Sequence, residues 1–395
     1  MKKYFVMSIL MCLIIAPIAF SQSKMKSSFK ADVEAQRVKN KKSVTEVKQQ
    51  LEAIRKDIKE RNLKFKVDMT EALKRQIEEI TGAVPPKDLE KEAEIQTSRG
   101  YQLFLEFLQR LAEAQAAKRQ AELQPEKKEP VKPKPKEEEK KEEKPETVTP
   151  GKPDESLPES FMLADPSKPV LDWFALGMMT PVKEQGLCGS CWSFTAMGVV
   201  EGCYKINKKT DIDLSEQYMI DCARDKYGRD AGSCNGGWYG NVFDFMMANY
   251  PVEEKIAPYR GYEYGCTPKK QIPVKLVAWG YVRRDGGIPS VDEMKKALCT
   301  YGPIAATVKV TPAFQAYVGG IFDEFTPVSS PKDVNHGIII VGWDDTKKAY
   351  RIKNSWGERW GEKGYMWIEY GCNNIGYGAA WVVLKGIMKF CGGFL

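Results

Sequence analysis

The spacing of apolar residues along the chain separates a helical first part from a later part with the pattern of strands. Between about residues 30 and 122, apolar residues recur at helical intervals among Lys, Glu and Gln, notably over 44–58 and 101–111. Residues 63–67 alternate and predict a short strand between these helices. Beyond residue 336 the apolar runs are short and separated by Gly, Asp and Lys, which is typical of strands. These runs are 337–342, 350–352, 365–368 and 381–383.

Two local signals refine this picture. A helix is predicted to begin at Cys191, with the hydroxyl of Ser190 capping its amino end. Gly82, followed by Pro85 and Pro86, interrupts the helical pattern, so a turn without a functional role is predicted there. Cys191 is therefore expected on a helix in the first half of a folded region, with strands in the second half.

Composition divides the chain into segments of different character. Residues 1–22 have the charged start, apolar run and small-residue cleavage motif of a secretory signal peptide. The helical region spans 23–123, and 124–160 is dominated by Lys, Glu and Pro, which predicts an extended linker. Residues 161–385 are rich enough in aromatic and apolar side chains to fold, and 386–395 form a C-terminal extension.

Charge and hydropathy narrow the possible partners. The formal net charge is +7, but in the first part of the chain lysines alternate with glutamates, which argues against a nucleic-acid partner. No segment after the signal is long and apolar enough to cross a membrane. With residues 1–22 removed as a signal peptide, the mature chain is predicted to be secreted or periplasmic. It is also predicted to be a monomer.

The candidate chemistry depends on the only histidine of the chain. A cysteine needs a nearby base to become a nucleophile at neutral pH, and His336 is the one imidazole available to Cys191. The helix dipole and an imidazolium would both lower the pKa of the thiol. Asn354 could orient the ring, and the Gln185 amide could donate to a tetrahedral oxyanion together with the Cys191 N–H.

From about Pro169 to Val383 the chain resembles the papain/cathepsin family of cysteine peptidases (C1 type), in a bacterial-looking secreted form with an N-terminal pro-region. The resemblance is carried by these motifs: Gln185–Phe194, Asp172-Trp173, Asp213–Gln217, Cys234–Gly237, Gly302-Pro303, Asn335-His336-Gly337, Asn354–Gly357, Trp360-Gly361 and Gly364-Tyr365. It implies an α+β, papain-like two-subdomain fold. One half would be helical and the other an antiparallel β-barrel-like sheet, with the active-site cleft between them and a helical pro-region before them.

The resemblance also implies roles for individual residues. Cys191 and His336 would catalyse, Asn354 would orient the histidine, and Gln185 would form the oxyanion hole. The implied substrate contacts are Gly236, Gly237, Asn335, Trp356 and Tyr377, with either Tyr377 or Gly378 at the base of the main specificity pocket. The implied disulfides are Cys188–Cys234 and Cys222–Cys266. Export suggests up to four bridges, which leaves Cys203, Cys299, Cys372 and Cys391 unassigned with three possible pairings.

These features predict a secreted endopeptidase made as a zymogen, with polypeptide substrates, its own pro-region as intramolecular inhibitor, and neither cofactor nor metal. Cathepsin B-like exopeptidase action is disfavoured because no second histidine exists to hold a substrate carboxylate. Two alternatives remain. Cys188 and Cys191 form a C-x-x-C pair that a thiol-disulfide oxidoreductase could use, and an inactive homologue could act as a binding protein. The helical region could also be a tether.

Overall fold

The computed structural model describes residues 41–123 and 162–385. The predicted signal peptide, the linker, the C-terminal extension and Cys391 lie outside the described residues. The helices are α1 Val44–Glu60, α2 Ile77–Ile80, α3 Leu89–Leu123, α4 Cys191–Lys208, α5 Glu216–Cys222, α6 Tyr239–Ala248, α7 Val291–Tyr301 and α8 Pro312–Ala316. The strands are β1 Phe65–Val67, β2 Val170–Asp172, β3 Gly232–Ser233, β4 Gly236–Gly237, β5 Leu276–Tyr281, β6 Ile304–Val308, β7 Tyr317–Phe322, β8 His336–Asp344, β9 Ala349–Lys353, β10 Tyr365–Glu369 and β11 Tyr377–Leu384.

The fold is α+β, as predicted, with a helical half and a sheet half that meet along α4 and β8. Helix α4 is buried on nearly all sides. Gly198 lets α4 pack closely against β8, because a Cβ atom at residue 198 would lie 2.5 Å from Cδ1 of Ile339 in β8. The predicted side-chain cap of α4 was wrong: the Ser190 hydroxyl caps no N–H and instead lies 2.8 Å from the Tyr259 hydroxyl.

The larger sheet has the strand order β1-β7-β10-β9-β8-β6-β11-β5, with β2 added on β8. Its ladders are antiparallel except that of β7 with β10, which is parallel, so the sheet is not purely antiparallel as the resemblance implied. The four late strands predicted from the apolar runs are present as β8 to β11. The strand order ends at β1 and β5, and β1 comes from the N-terminal region.

The N-terminal region, residues 41–123, packs across residues 162–385, the unit that carries the predicted catalytic residues (the catalytic unit). Helix α1 buries Val47 and Leu51 in a small cluster with Leu73 and Ala316. Strand β1 then pairs with β7, which confirms the strand predicted over 63–67. After α2 the chain passes through the cleft as residues 80–84 and continues as α3, which packs beside β5.

The described cysteines form the two disulfides Cys188–Cys234 and Cys222–Cys266 that the resemblance implied. The other described cysteines are buried free thiols: Cys191, Cys203, Cys299 and Cys372. Within residues 162–385, therefore, none of the open pairings among Cys203, Cys299 and Cys372 is formed. No helix within the two described ranges combines the length and apolar character needed to cross a membrane.

Candidate active site

Cys191 is the first residue of α4 and is fully buried. Its Sγ accepts a hydrogen bond from the main-chain N–H of Gly337 at 3.3 Å. Gly337 is the second residue of β8, directly after His336. The junction between α4 and β8 therefore brings together the cysteine and the histidine that the sequence analysis paired.

His336 is held by Asn354, which follows the end of β9. The distance from His336 Nε2 to Asn354 Oδ1 is 2.8 Å. The same Oδ1 accepts the Ser355 N–H at 2.8 Å, so it acts as an acceptor and the proton is assigned to Nε2. Among the described residues no group hydrogen-bonds the buried Nδ1, and Cys191 Sγ contacts β8 at the Gly337 N–H. The ring of Trp356 lies 4.7 Å from the imidazole centroid and covers the pair.

Gln185 is buried, and both polar atoms of its side-chain amide are hydrogen-bonded. Its Oε1 accepts the Ser355 hydroxyl at 2.6 Å, and its Nε2 donates to the Cys188 carbonyl oxygen at 2.9 Å. Because the amide nitrogen carries two hydrogens, one remains to be directed at an oxyanion. Sequence reasoning missed Ser355, although it lies inside the Asn354–Gly357 motif and orients this amide.

Residues 80–84 of the N-terminal region lie in the cleft across this site. The Val84 N–H donates to the Gly237 carbonyl oxygen at 3.0 Å, and the Gly237 N–H donates to the Gly82 carbonyl oxygen at 2.9 Å. At the other end, Trp356 Nε1 donates to the first carbonyl of the segment at 3.0 Å. The segment therefore uses main-chain groups to bridge the cleft from Trp356 to Gly237.

Gly82 contacts the centre of the site, so the prediction of a turn without a functional role was wrong. The N–H groups of Gly82 and Ala83 both donate to the Asn335 carbonyl oxygen at 2.9 Å. A Cβ atom on Gly82 would lie 2.6 Å from the carbonyl carbon of Gly189, two residues before Cys191. Only glycine fits such a close approach of two backbones.

Burial shifts the pKa values of Cys191 and His336 in opposite directions. Burial raises the pKa of the Cys191 thiol to about 12, and the Gly337 and Gly82 N–H groups offset only part of this effect. Burial also lowers the pKa of His336 to about 4, against the opposing hydrogen bond to Asn354. The expected lowering of the thiol pKa does not hold in this covered form, because loss of water disfavours both charged groups.

The implied substrate contacts divide into two groups. Gly236, Gly237, Asn335 and Trp356 all contact residues 80–84. Tyr377 is buried, and its carbonyl oxygen accepts the Thr307 hydroxyl at 2.7 Å, but no described contact joins it to that segment. A Cβ atom on Gly378 would lie 2.6 Å from the Trp238 ring, so that ring fills the space beside it.

No group of three or more His, Cys, Asp or Glu residues within 41–123 and 162–385 is arranged to hold a metal ion.

Comparison with known proteins agrees with this geometry. Cathepsin L of Sarcophaga peregrina is 36% identical over 211 residues, 52% of this chain and 59% of that protein. Procathepsin L of Rattus norvegicus is 36% identical over 228 residues, 55% of this chain and 64% of that protein. This chain thus spans less than two thirds of the length of either relative. A solved structure from work on the mite allergens Blo t 1 and Der p 1 matches with a TM-score of 0.50 and 26% identity, over 55% of this chain and 71% of that one.

Both relatives are animal proteins, so they do not support the bacterial origin suggested by the sequence. The profile described as papain family cysteine protease matches residues 168–383, more than half of the chain. This chain belongs to the papain family of cysteine proteases.

Proposed function

We propose that this chain is a cysteine endopeptidase that hydrolyses peptide bonds through Cys191 and His336, with an acyl-enzyme intermediate. The observation that carries the proposal is the arrangement at the α4–β8 junction. His336 Nε2 lies 2.8 Å from Asn354 Oδ1. Gly337, the residue after His336, donates its main-chain N–H to Cys191 Sγ at 3.3 Å. A nucleophile, a base and a group that orients the base thus occupy one buried site.

The steps follow from these positions. His336 first takes the proton of the Cys191 thiol. The resulting thiolate attacks the carbonyl carbon of the scissile bond, and the displaced electron pair moves to the carbonyl oxygen. Gln185 Nε2 and the Cys191 N–H stabilise that oxyanion. Collapse expels the amine, which takes a proton from His336. Water then attacks the thioester, gives its proton to His336, and releases the acid and the thiolate.

The N-terminal region acts as a pro-region in this proposal. Residues 80–84 occupy the cleft with main-chain hydrogen bonds to Gly237 and Asn335, so substrate cannot reach Cys191 while they are bound. One relative is named a procathepsin, which supports a zymogen by analogy. Secretion is supported by the signal-like residues 1–22 and by the two disulfides.

The oxidoreductase alternative is disfavoured by the disulfide pattern. Cys188 is bonded to Cys234 and not to Cys191, so the C-x-x-C pair is not a redox couple in this structure. The inactive-homologue alternative is disfavoured because thiol, imidazole, orienting amide and oxyanion donor are all present.

The test is cleavage of fluorogenic peptides by the processed protein. Cys191→Ala is expected to abolish cleavage, whereas Cys203→Ala, which removes another buried free thiol, is expected to retain it. Insulin reduction measured on the same samples separates the two chemistries. Reductase activity without peptidase activity in the wild type would overturn the proposal.

The pro-region is tested separately. Residues 23–160, added in trans to the processed enzyme, are expected to inhibit at micromolar concentration. Inhibition should be lost when the added fragment carries Gly82→Ala. Absence of inhibition by the unchanged fragment would favour the tether instead.

A further inference from the structure

Helix α3 covers the open edge of the sheet at strand β5. Strand β5 is the terminal strand of the sheet, so one side of its backbone has no neighbouring strand. The Gln96 side chain donates to the Trp279 carbonyl oxygen at 2.9 Å, and the Tyr281 N–H donates to Thr97 Oγ1 at 3.1 Å. Side chains of α3 thus satisfy the edge groups that a further strand would otherwise bind.

The helix also lies very close to this strand. A Cβ atom on Gly100 would lie 2.8 Å from the Trp279 carbonyl carbon, so only glycine permits the contact. One turn later, the fully buried Phe104 packs its ring 5.4 Å from Tyr301 and 6.2 Å from Trp381. Phe104 of α3 is therefore part of the same hydrophobic core as Tyr301 and Trp381 of the catalytic unit.

Polar contacts continue along the same face. Glu92 pairs with Lys226 at 3.3 Å, and Arg284 donates to the Ser98 hydroxyl at 2.9 Å. Beyond residue 111 the described side chains of α3 are exposed. Only the amino-terminal two thirds of the helix is therefore docked.

The two parts of the N-terminal region are held differently. Residues 80–84 occupy space that substrate must enter, so any peptide competes with them. Residues 89–111 contact β5, Tyr301 and Trp381, none of which is among the implied substrate contacts. Residues 85–88, which join the two parts, are exposed or half-buried.

We propose that α3 stays bound to the catalytic unit after the cleft segment is removed, as a permanent second chain whose docking surface is the open edge of β5. The proposal rests on the proposed zymogen, because it concerns what remains after processing. Its partner is residues 89–111 of this same chain, and the processed protein is a two-chain complex.

The test uses the full chain carrying Cys191→Ala, so that no result depends on its own activity. Recognition sequences for a specific protease are inserted between Pro86 and Lys87 and within 124–160. After cleavage and dilution, gel filtration with mass spectrometry is expected to find the α3 fragment with the catalytic unit at one copy each. Elution of that fragment on its own would overturn the proposal, whatever is found for peptidase activity.

Two variants test the docking surface. Gly100→Ala favours the helix itself but collides with Trp279, so it is expected to release the fragment. Thr97→Val keeps the side-chain shape but removes the acceptor of the Tyr281 N–H. The α3 fragment should therefore dissociate from the catalytic unit about fivefold faster. Gln115→Ala, on the exposed part of α3, is the matched control and should behave as wild type. Retention of the fragment by both Gly100→Ala and Thr97→Val, equal to the control, would overturn the assignment to β5.

Discussion

Gly82 and Gly189 are in backbone contact at the start of α4: a Cβ atom on Gly82 would lie 2.6 Å from the Gly189 carbonyl carbon and 2.9 Å from its Cα. This contact allows residues 80–84 to lie flat over Cys191. In the proposed zymogen these residues therefore close the site with main-chain atoms.

Replacing Gly82 should weaken this closure. In Gly82→Ala the methyl group must push the segment away from Gly189, so the unprocessed protein is expected to show at least about tenfold more activity on a fluorogenic peptide, equivalent to about 1.4 kcal/mol of lost binding. Lys87→Ala, nearby but exposed, is the control and should leave the zymogen inert. Equal inertness of Gly82→Ala would show that the contact does not hold the segment.

Removal of the segment should change the protonation of the catalytic pair. In the covered form burial raises the pKa of Cys191 to about 12 and lowers that of His336 to about 4, so both groups are neutral between those pH values. Uncovering reduces the burial penalty, so the thiol pKa falls and the imidazole pKa rises. Iodoacetamide alkylation of Cys191 near pH 7 should then accelerate by at least about 100-fold.

Mass spectrometry assigns the alkylated site in this experiment. Cys203 and Cys372 are internal controls, because burial raises the pKa of each to about 12 and neither contacts the cleft segment. A Cys191 rate that is the same before and after processing would contradict the prediction.

Gln185 should act in the transition state. Gln185→Ala removes the amide that Ser355 anchors at 2.6 Å, so kcat should fall by about 10²–10³-fold with little change in KM. Steady-state kinetics measure this effect, and Cys191 alkylation in the variant should stay near the wild-type rate. A loss confined to KM would instead indicate a role in substrate binding.

Lys183 should stabilise the helical half. Its Nζ lies 2.9 Å from carboxylate oxygens of both Glu201 and Glu216, which are almost fully buried. Burial acts to lower the pKa of Lys183, but Glu216 and Glu201 outweigh it and hold that pKa above its usual range.

Lys183→Met leaves these buried carboxylates without their cation, so the free energy of unfolding should fall by about 3–5 kcal/mol. Urea unfolding of the Cys191→Ala protein measures the change. Lys296→Met, which removes an exposed lysine, should change it little. Exposed ion pairs contribute about 0–1 kcal/mol. If Lys183→Met lowers the free energy of unfolding by no more than that, water or another group compensates for the lost ammonium.

Much of the fold followed from sequence because its signals are local. The short apolar runs predicted β8 to β11, and alternation over 63–67 predicted β1. The grouping of Cys191, His336 and Asn354 was accessible because one histidine leaves one candidate base. Such inferences need only periodicity and a small number of reactive residues.

Other features depend on partners that are distant in sequence. The pattern around Gly82 resembles an ordinary turn, and its role appears only when Gly189 lies against it. The Ser190 hydroxyl was expected to cap α4 but has Tyr259 as a competing partner. That Cys203, Cys299 and Cys372 are free thiols could not be derived from spacing, because pairing depends on which thiols folding brings close.

The solitary histidine has a practical consequence. Growth on isotope-labelled histidine would introduce a single NMR probe into the whole protein, and that probe lies in the candidate active site. Its ring-nitrogen shifts distinguish the two tautomers and the cation, so conversion of the precursor could be followed in real time without assigning any other resonance.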